Sequence, residues 1–216
     1  MDLSVLESFS EAVDFEEDVR WLPLPAPASD LTAAAVPAGW VDLMSQPWSA
    51  AELTARLWQP AQAVLPRTVD RFTRVHEVAV LSTRQRGASL VYLFRSADGT
   101  STPWRGFAPA TAMPPVAARF PIELSTLYSI HDGLVHFYSH DGGPLPCAQW
   151  RALTETDASD PTLVVIAQDG PRAFGFDVSQ SPAQAYDVDP EEDDVTLVVD
   201  PWAFLDDMTA LEWLDD

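Results

Sequence analysis

Three histidines lie close together in the second half of the chain, where they could bind a metal ion. His131, His136 and His140 have the spacing His-x4-His-x3-His, with Asp132 and Asp141 beside two of them. Imidazole nitrogens and carboxylate oxygens are common zinc ligands. The intervening residues, however, predict a glycine turn and a short strand, which direct side chains to different faces. We therefore expect turn and surface histidines and no metal site.

The single cysteine, Cys147, could act as a nucleophile only with a histidine beside it in space. A lone cysteine is more often a small, buried apolar residue. The chain contains no lysine, which excludes a lysine Schiff base and the GxxxxGK[ST] phosphate-binding loop. We therefore expect no cofactor, and we predict that the protein is not an enzyme. A hydrolase that uses the His131–His140 region remains an alternative.

The charge of the chain is strongly negative. Among 216 residues there are 33 acidic and 12 basic ones, all arginine, for a net charge of −21. Such a surface disfavours nucleic acids and anionic membranes, which attract basic proteins. Two interpretations stay open. The charge maintains solubility, or its field steers a basic protein partner to the surface.

The charge is also unevenly distributed. Residues 1–66 hold ten acids and two arginines, residues 67–119 three acids and eight arginines, and residues 120–216 twenty acids and two arginines. Because a guanidinium group binds a carboxylate with two parallel hydrogen bonds, we expect the central arginines to pair with acids from both flanks. The densest acidic run, Glu191-Glu192-Asp193-Asp194, predicts an exposed turn.

The hydrophobic pattern predicts an α+β fold, with a mostly antiparallel sheet and helices packed on it. Residues 1–110 are expected to form an N-terminal α+β extension, and residues 111–216 a second domain packed with it as one unit. The boundary is the proline- and alanine-rich segment 108–118. The predicted parts of the extension are a helix over 3–19, a proline-rich connector over 21–27, a capped helix over 49–58, and a β-hairpin over 75–95.

The second half has clear signals at the ends of its predicted elements. Pro121 is expected to open a helix that Asp132-Gly133 closes, and Asp200-Pro201 to open a final helix over 202–214. Between them, the pattern predicts a strand over 134–139, a short helix around 149–153, and hairpins over 163–178 and 185–199.

The segment FPIELSTLYSIHDGLVHFYSHDGGPLPCAQWRAL, residues 120–153, resembles the SUKH superfamily of Smi-Knr cell-wall-regulator-like domains. The residues that carry the resemblance are Pro121, Leu124, Tyr128, Asp132 and Gly133. Later parts of the family pattern are similar to TLVVIAQDGPRAFGFDV (162–178), through Asp169, Gly170, Phe176 and Asp177, and to PWAFLDDM (201–208). The resemblance covers about residues 115–214. The chain departs from the pattern at Pro171-Arg172-Ala173, where members often have a glycine pair.

This resemblance implies an immunity protein. Bacterial members commonly bind and neutralise a cognate toxin in the cytoplasm, and many of those toxins are nucleases of type VI or contact-dependent systems. A nuclease cleft is usually basic, which complements the charge of this chain. The alternative within the family is an acidic regulatory or scaffold protein of the Smi-Knr type.

We expect a monomer or weak homodimer in the cytoplasm. The acidic start of the chain also predicts no secretory signal peptide. The residues predicted to contact the toxin are all acidic and lie in predicted turns: Glu191, Glu192, Asp193, Asp194, Asp141 and Asp169.

Overall fold

The protein has an α+β fold in which helices pack on two antiparallel sheets. The computed structural model describes residues 6, 9, 16–96, 99–153, 160–192 and 194–210. Six α-helices are described: α1 (Ala28–Ala33), α2 (Ala38–Met44), α3 (Ala50–Trp58), α4 (Pro66–Phe72), α5 (Leu124–Ile130) and α6 (Pro201–Thr209). None of these helices combines the length and the apolar character needed to cross a membrane.

Side-chain caps define the starts of two helices. At α3, the Ser49 hydroxyl accepts from the Glu52 backbone N–H at 3.2 Å, and the Glu52 carboxylate accepts from the Ser49 N–H at 2.9 Å. At α6, the Asp200 carboxylate accepts from two N–H groups of the first turn, and Pro201 occupies a position where a missing N–H breaks no helical hydrogen bond. Both starts were predicted from the sequence and are confirmed.

The first sheet has the order β1-β2-β3-β4-β5, and all of its strand pairs are antiparallel. Its strands are β1 (Arg20–Pro23), β2 (Glu77–Thr83), β3 (Gly87–Arg95), β4 (Ser101–Phe107) and β5 (Leu134–His136). The hairpin predicted over 75–95 is confirmed as β2 and β3. The strand β5 comes from the second half of the chain, so both halves contribute to this sheet.

The second sheet has the order β11-β10-β9-β8-β6, and β7 also pairs with β8. Its strands are β6 (Gly143–Pro144), β7 (Arg151–Leu153), β8 (Asp160–Asp169), β9 (Arg172–Asp177), β10 (Gln184–Asp189) and β11 (Asp194–Val198). The two hairpins predicted here are confirmed. The short helix predicted around 149–153 is wrong, because residues 151–153 are the strand β7 and only Cys147–Gln149 forms a 3-10 turn.

One continuous hydrophobic core joins the helices to a face of each sheet. It includes Trp58 and Phe72 from the helices, Tyr92 from the first sheet, and Phe174 from the second. A smaller cluster covers the opposite face of the first sheet, and another, around Val165, covers that of the second. The main core contains residues from both sides of position 110. Contacts within it therefore stabilise both halves of the chain.

Several helices and strands begin or end at residues other than those predicted from the sequence. The helix predicted over 3–19 falls largely outside the described residues, as do residues 211–214 of the last predicted helix. The connector over 21–27 begins as the edge strand β1. The predicted strand over 134–139 ends at His136, and the helix expected to start at Pro121 starts at Leu124.

The helix α5 ends at Ile130, with His131 in an extended conformation, so the predicted closure by Asp132-Gly133 is wrong. Gly133, three residues beyond the helix, is nevertheless tightly packed. Its φ is +90°, and a Cβ atom there would lie 2.5 Å from the backbone nitrogen of Pro146. Gly170 also has a positive φ, but a Cβ atom there would meet nothing within 4 Å. We expect Gly133→Ala to lower the free energy of unfolding by about 2–3 kcal/mol, and Gly170→Ala by about 1 kcal/mol. Urea unfolding of both variants measures the difference, and equal losses would contradict the packing argument.

Candidate functional site: the acidic end of the second sheet

Two hairpin turns lie at the same end of the second sheet. The β8–β9 turn closes with Asp169 opposite Arg172, and the β10–β11 turn closes with Asp189 opposite Asp194. In the pairing of β9 with β10, Ala173 lies opposite Val188. Each of these residues directly adjoins one of the turns, so the strand register brings the two acidic turns side by side.

A third acidic segment reaches the same place. The strand β6 pairs with the end of β8, with Gly143 opposite Gln168. Just before β6, the Asp141 carboxylate accepts a hydrogen bond from the Gly170 N–H at 3.2 Å. We call the resulting surface the acidic end. It consists of Asp141, Asp169, Asp187, Asp189, Glu191, Glu192 and Asp194.

The acidic end contains five of the six residues that the sequence predicts for toxin contact. The sixth, Asp193, lies outside the described residues. Asp187 and Asp189 were not predicted as site residues. They occupy alternate positions at the end of β10, and the sequence signal that could have indicated them is the Asp-Val-Asp alternation just before the turn.

Local hydrogen bonds engage the aspartates on both sides of the β10–β11 turn. The Asp189 carboxylate accepts from the Glu191 N–H at 3.0 Å, and the Asp194 carboxylate accepts from the Thr196 hydroxyl at 2.9 Å. The side chains of Glu191 and Glu192 are exposed. The described part of the turn therefore exposes two carboxylates to water, an arrangement suited to contacting cationic side chains.

Arg172 shows how the acidic end acts on a cation. This exposed guanidinium forms an ion pair with Asp187. The hydrogen bond with Asp187, together with the negative charges of Asp187, Asp189 and Asp169, raises the pKa of Arg172 above its ordinary value. A cationic side chain of a partner at this surface would meet the same stabilising field.

At least four of the eight central arginines pair with acids from the flanks, in line with the expectation, whereas Arg74 pairs with Asp70 inside the central segment. Arg67 pairs with Asp207, and Arg84 pairs with Glu17 at 2.8 Å. Arg86 lies 3.5 Å from Glu16. The arginine-rich segment is thus engaged within the molecule, which leaves the acidic end as a region of excess negative charge.

The most deeply buried of these pairs joins Arg105 to Glu16. The guanidinium binds the carboxylate through two hydrogen bonds of 2.7 and 3.1 Å, and its Nε donates to Ser89 Oγ at 2.9 Å. Neither charged side chain is more than 1% exposed. Burial raises the pKa of Glu16, but hydrogen bonds from Arg105 and Thr83 and the nearby arginine charges outweigh it, so the net pKa is lowered.

His131 lies in the core, which contradicts the expectation of turn and surface histidines. Its ring is fully buried, and a Cβ atom on Gly106 would lie only 2.6 Å from it. Its Nδ1 lies 2.8 Å from the Phe107 carbonyl oxygen and must donate to it, so Nε2 accepts from the Tyr92 hydroxyl at 2.6 Å. Burial lowers the pKa of His131 to about 4, despite the opposing effect of the carbonyl. Both nitrogens serve the fold.

This buried histidine predicts a pH dependence of stability. The folded pKa of about 4 lies below the ordinary 6.5, so the unfolded chain takes up the proton first as the pH falls. The contribution of neutral His131 to the free energy of unfolding is complete above pH 6.5. It is lost as the pH falls toward 4, a change of about 3 kcal/mol.

Denaturant unfolding between pH 7 and pH 4.5 checks this prediction. His131→Gln should reduce the dependence. If His131→Gln fails to fold, an NMR titration of the ring in the native protein gives the same answer. A His131 pKa near 6.5 would contradict the argument.

The other candidate chemical groups also have structural contacts. His136 packs on Trp104, with ring centroids 5.7 Å apart. Among the described residues, no three His, Cys, Asp or Glu side chains are placed to hold a metal ion together. Cys147 is half-buried, and its backbone N–H donates to Asp132 at 2.7 Å. Burial, together with the adjacent Asp132, raises the pKa of its thiol, which therefore stays protonated at neutral pH.

Comparisons with protein-family models, curated proteins and solved structures found no significant match to this chain.

Proposed function

We propose that this protein is an immunity protein that binds a cognate basic toxin stoichiometrically in the cytoplasm and thereby neutralises it. The observation that carries the proposal is the convergence of three acidic turn segments at one end of the second sheet. The resemblance of residues 115–214 to SUKH domains supports the same function. In this proposal the protein performs no reaction of its own.

The contacts of the chemically capable residues favour binding over catalysis. His131 uses both ring nitrogens in hydrogen bonds within the core. The Cys147 thiol is held in its protonated form, which is a poor nucleophile. At the acidic end, exposed carboxylates outnumber the exposed guanidinium of Arg172, and this excess of negative charge attracts cations.

The charge also indicates the class of toxin. A nuclease must attract a polyanion, so its active cleft carries lysine and arginine. The acidic end complements such a cleft, and like-charge repulsion disfavours acidic proteins as partners. We therefore propose a basic, nuclease-type effector of a type VI or contact-dependent system as the toxin.

Binding to the basic protein encoded by the adjacent gene tests the proposal. We expect a one-to-one complex in calorimetry, weaker at higher salt because ions screen the exposed carboxylates. Co-expression should protect cells from the toxin. Lack of binding and protection would overturn the proposal, and comparable binding to several unrelated basic proteins would instead identify a regulatory scaffold of the Smi-Knr type.

A further inference from the structure

The strand β11 forms one edge of the second sheet. It pairs with β10 and with no other strand of the described chain. Edge strands present unpaired backbone N–H and C=O groups, and proteins commonly protect them with proline or lysine. Two other edge strands carry proline, β1 at Pro23 and β6 at Pro144, whereas the short edge strands β5 and β7 do not. The sequence of β11, Asp-Val-Thr-Leu-Val, contains neither protecting residue.

One face of this strand is unusually apolar for its exposure. Val195 and Leu197 are 45% and 49% exposed, and Val199, just beyond the strand, is 92% exposed. Val195 and Leu197 alternate along the strand, so both point to the same side. Val195 lies opposite Val188, and Leu197 opposite Tyr186.

That face continues a hydrophobic cluster of the second sheet. Val188 is buried in the cluster around Val165, and Tyr186 packs against it. The apolar surface thus runs from the buried strands across β10 and reaches solvent at β11. An added strand beside β11 could extend both the hydrogen-bonded ladder and this apolar face.

We propose that the toxin docks by adding an extended, basic segment as a further strand along β11. This inference rests on the proposed function and specifies its binding mode. The charge beside the strand selects the occupant, because β11 starts at Asp194, two residues after Glu192 and three after Glu191. A segment with apolar residues facing Val195 and Leu197, and with arginine or lysine near the turn, complements both features.

A second copy of this chain fits the same edge poorly. A parallel pairing of two β11 strands would bring two acidic turns together, and an antiparallel pairing would place them at opposite ends of the contact. In either case, two molecules of net charge −21 would meet. Like charges at an interface oppose association. The charge therefore favours a basic partner over self-pairing.

Hydrogen exchange of the full-length protein, with and without the adjacent-gene toxin, tests the strand addition. Strand pairing should slow exchange of alternate amides in β11 at least about ten-fold, since they gain hydrogen bonds in the complex. Leu197→Ser should weaken toxin binding by about ten-fold or more, through faster dissociation, because a buried leucine side chain is lost from the contact. Ile122→Ser is the matched control, at an aliphatic residue that is 79% exposed outside both sheets.

The outcomes separate this inference from the proposed function. If the wild-type protein binds the toxin, but exchange in β11 stays unchanged and Leu197→Ser binds as tightly as Ile122→Ser, the strand addition is overturned and the immunity function stands. If the wild-type protein does not bind, the proposed function itself fails. If the protein alone dimerises in sedimentation and Leu197→Ser makes it monomeric, β11 is a self-interface and the inference is also overturned.

Discussion

Neutralising the β10–β11 turn is expected to slow association with the basic toxin about ten-fold at low ionic strength. The variant combines Glu191→Gln, Glu192→Gln and Asp194→Asn, all at exposed positions. Exposed charges act mainly by steering the encounter, so dissociation should change much less than association. The difference between variant and wild type should shrink as salt rises, because the screening length is only about 8 Å at physiological ionic strength.

Stopped-flow association rates at low and physiological salt measure this effect. A matched control removes three acids from the N-terminal helical region, by changing Asp30, Asp42 and Asp70 to Asn. Both variants lose three negative charges. If the local field of the turn steers the toxin, neutralising the turn should slow association more than neutralising the helical region. Equal rates for the two variants would show that only total charge matters and would reject the turn as the steering site.

Breaking the buried ion pair is expected to have the largest effect on stability. Arg105→Met should lower the free energy of unfolding by about 3–5 kcal/mol, because the carboxylate of Glu16 would stay buried without its cation. The same change removes the hydrogen bond that Arg105 Nε donates to Ser89. Chemical denaturation at neutral pH, with circular dichroism as the signal, measures the loss.

Arg84→Met supplies the control, since Arg84 and Glu17 form an ion pair that is largely exposed. That pair should contribute at most about 1 kcal/mol. The double variant Glu16→Gln/Arg105→Met should regain part of the lost stability, because it removes the uncompensated charge. An Arg105→Met variant as stable as Arg84→Met would mean that the pair contributes little.

Local signals were sufficient to predict much of the fold. The capping box of Ser49 and Glu52 lies within one turn, and the hairpin of β2 and β3 connects neighbouring segments, so both depend on nearby residues. The helix α4 shows the limit of such signals. Proline is compatible both with the end of one helix and with the first turn of the next, and Pro66 occupies the first turn of α4, which local pattern alone does not decide.

Features that depend on distant residues could not be predicted. His131 is buried because Tyr92, 39 residues away, supplies a hydrogen bond that its own neighbours do not. The helix predicted around 149–153 is replaced by a strand because β8, later in the chain, pairs with it. Trp150 is held there by a hydrogen bond of 3.0 Å to the Tyr128 hydroxyl.

The acidic end depends on both local sequence signals and contacts between distant residues. The run that starts at Glu191 was evident from composition alone. Its position beside Asp169 and Asp141 depends on strand register and on the hydrogen bond between Asp141 and Gly170, which no local pattern specifies. The sequence therefore indicated these acids as candidates without showing how they assemble into one surface.

The strand β5 bears on how the gene for this protein can be divided. It pairs with β4, with Leu134 opposite Gly106, although the two belong to opposite halves of the polypeptide. A cut near residue 110 would leave the first fragment with an open strand edge and the second without the surface on which β5 lies. Split-protein reporters and bait fragments should therefore keep both strands in one piece, or else bring the two pieces together for reassembly.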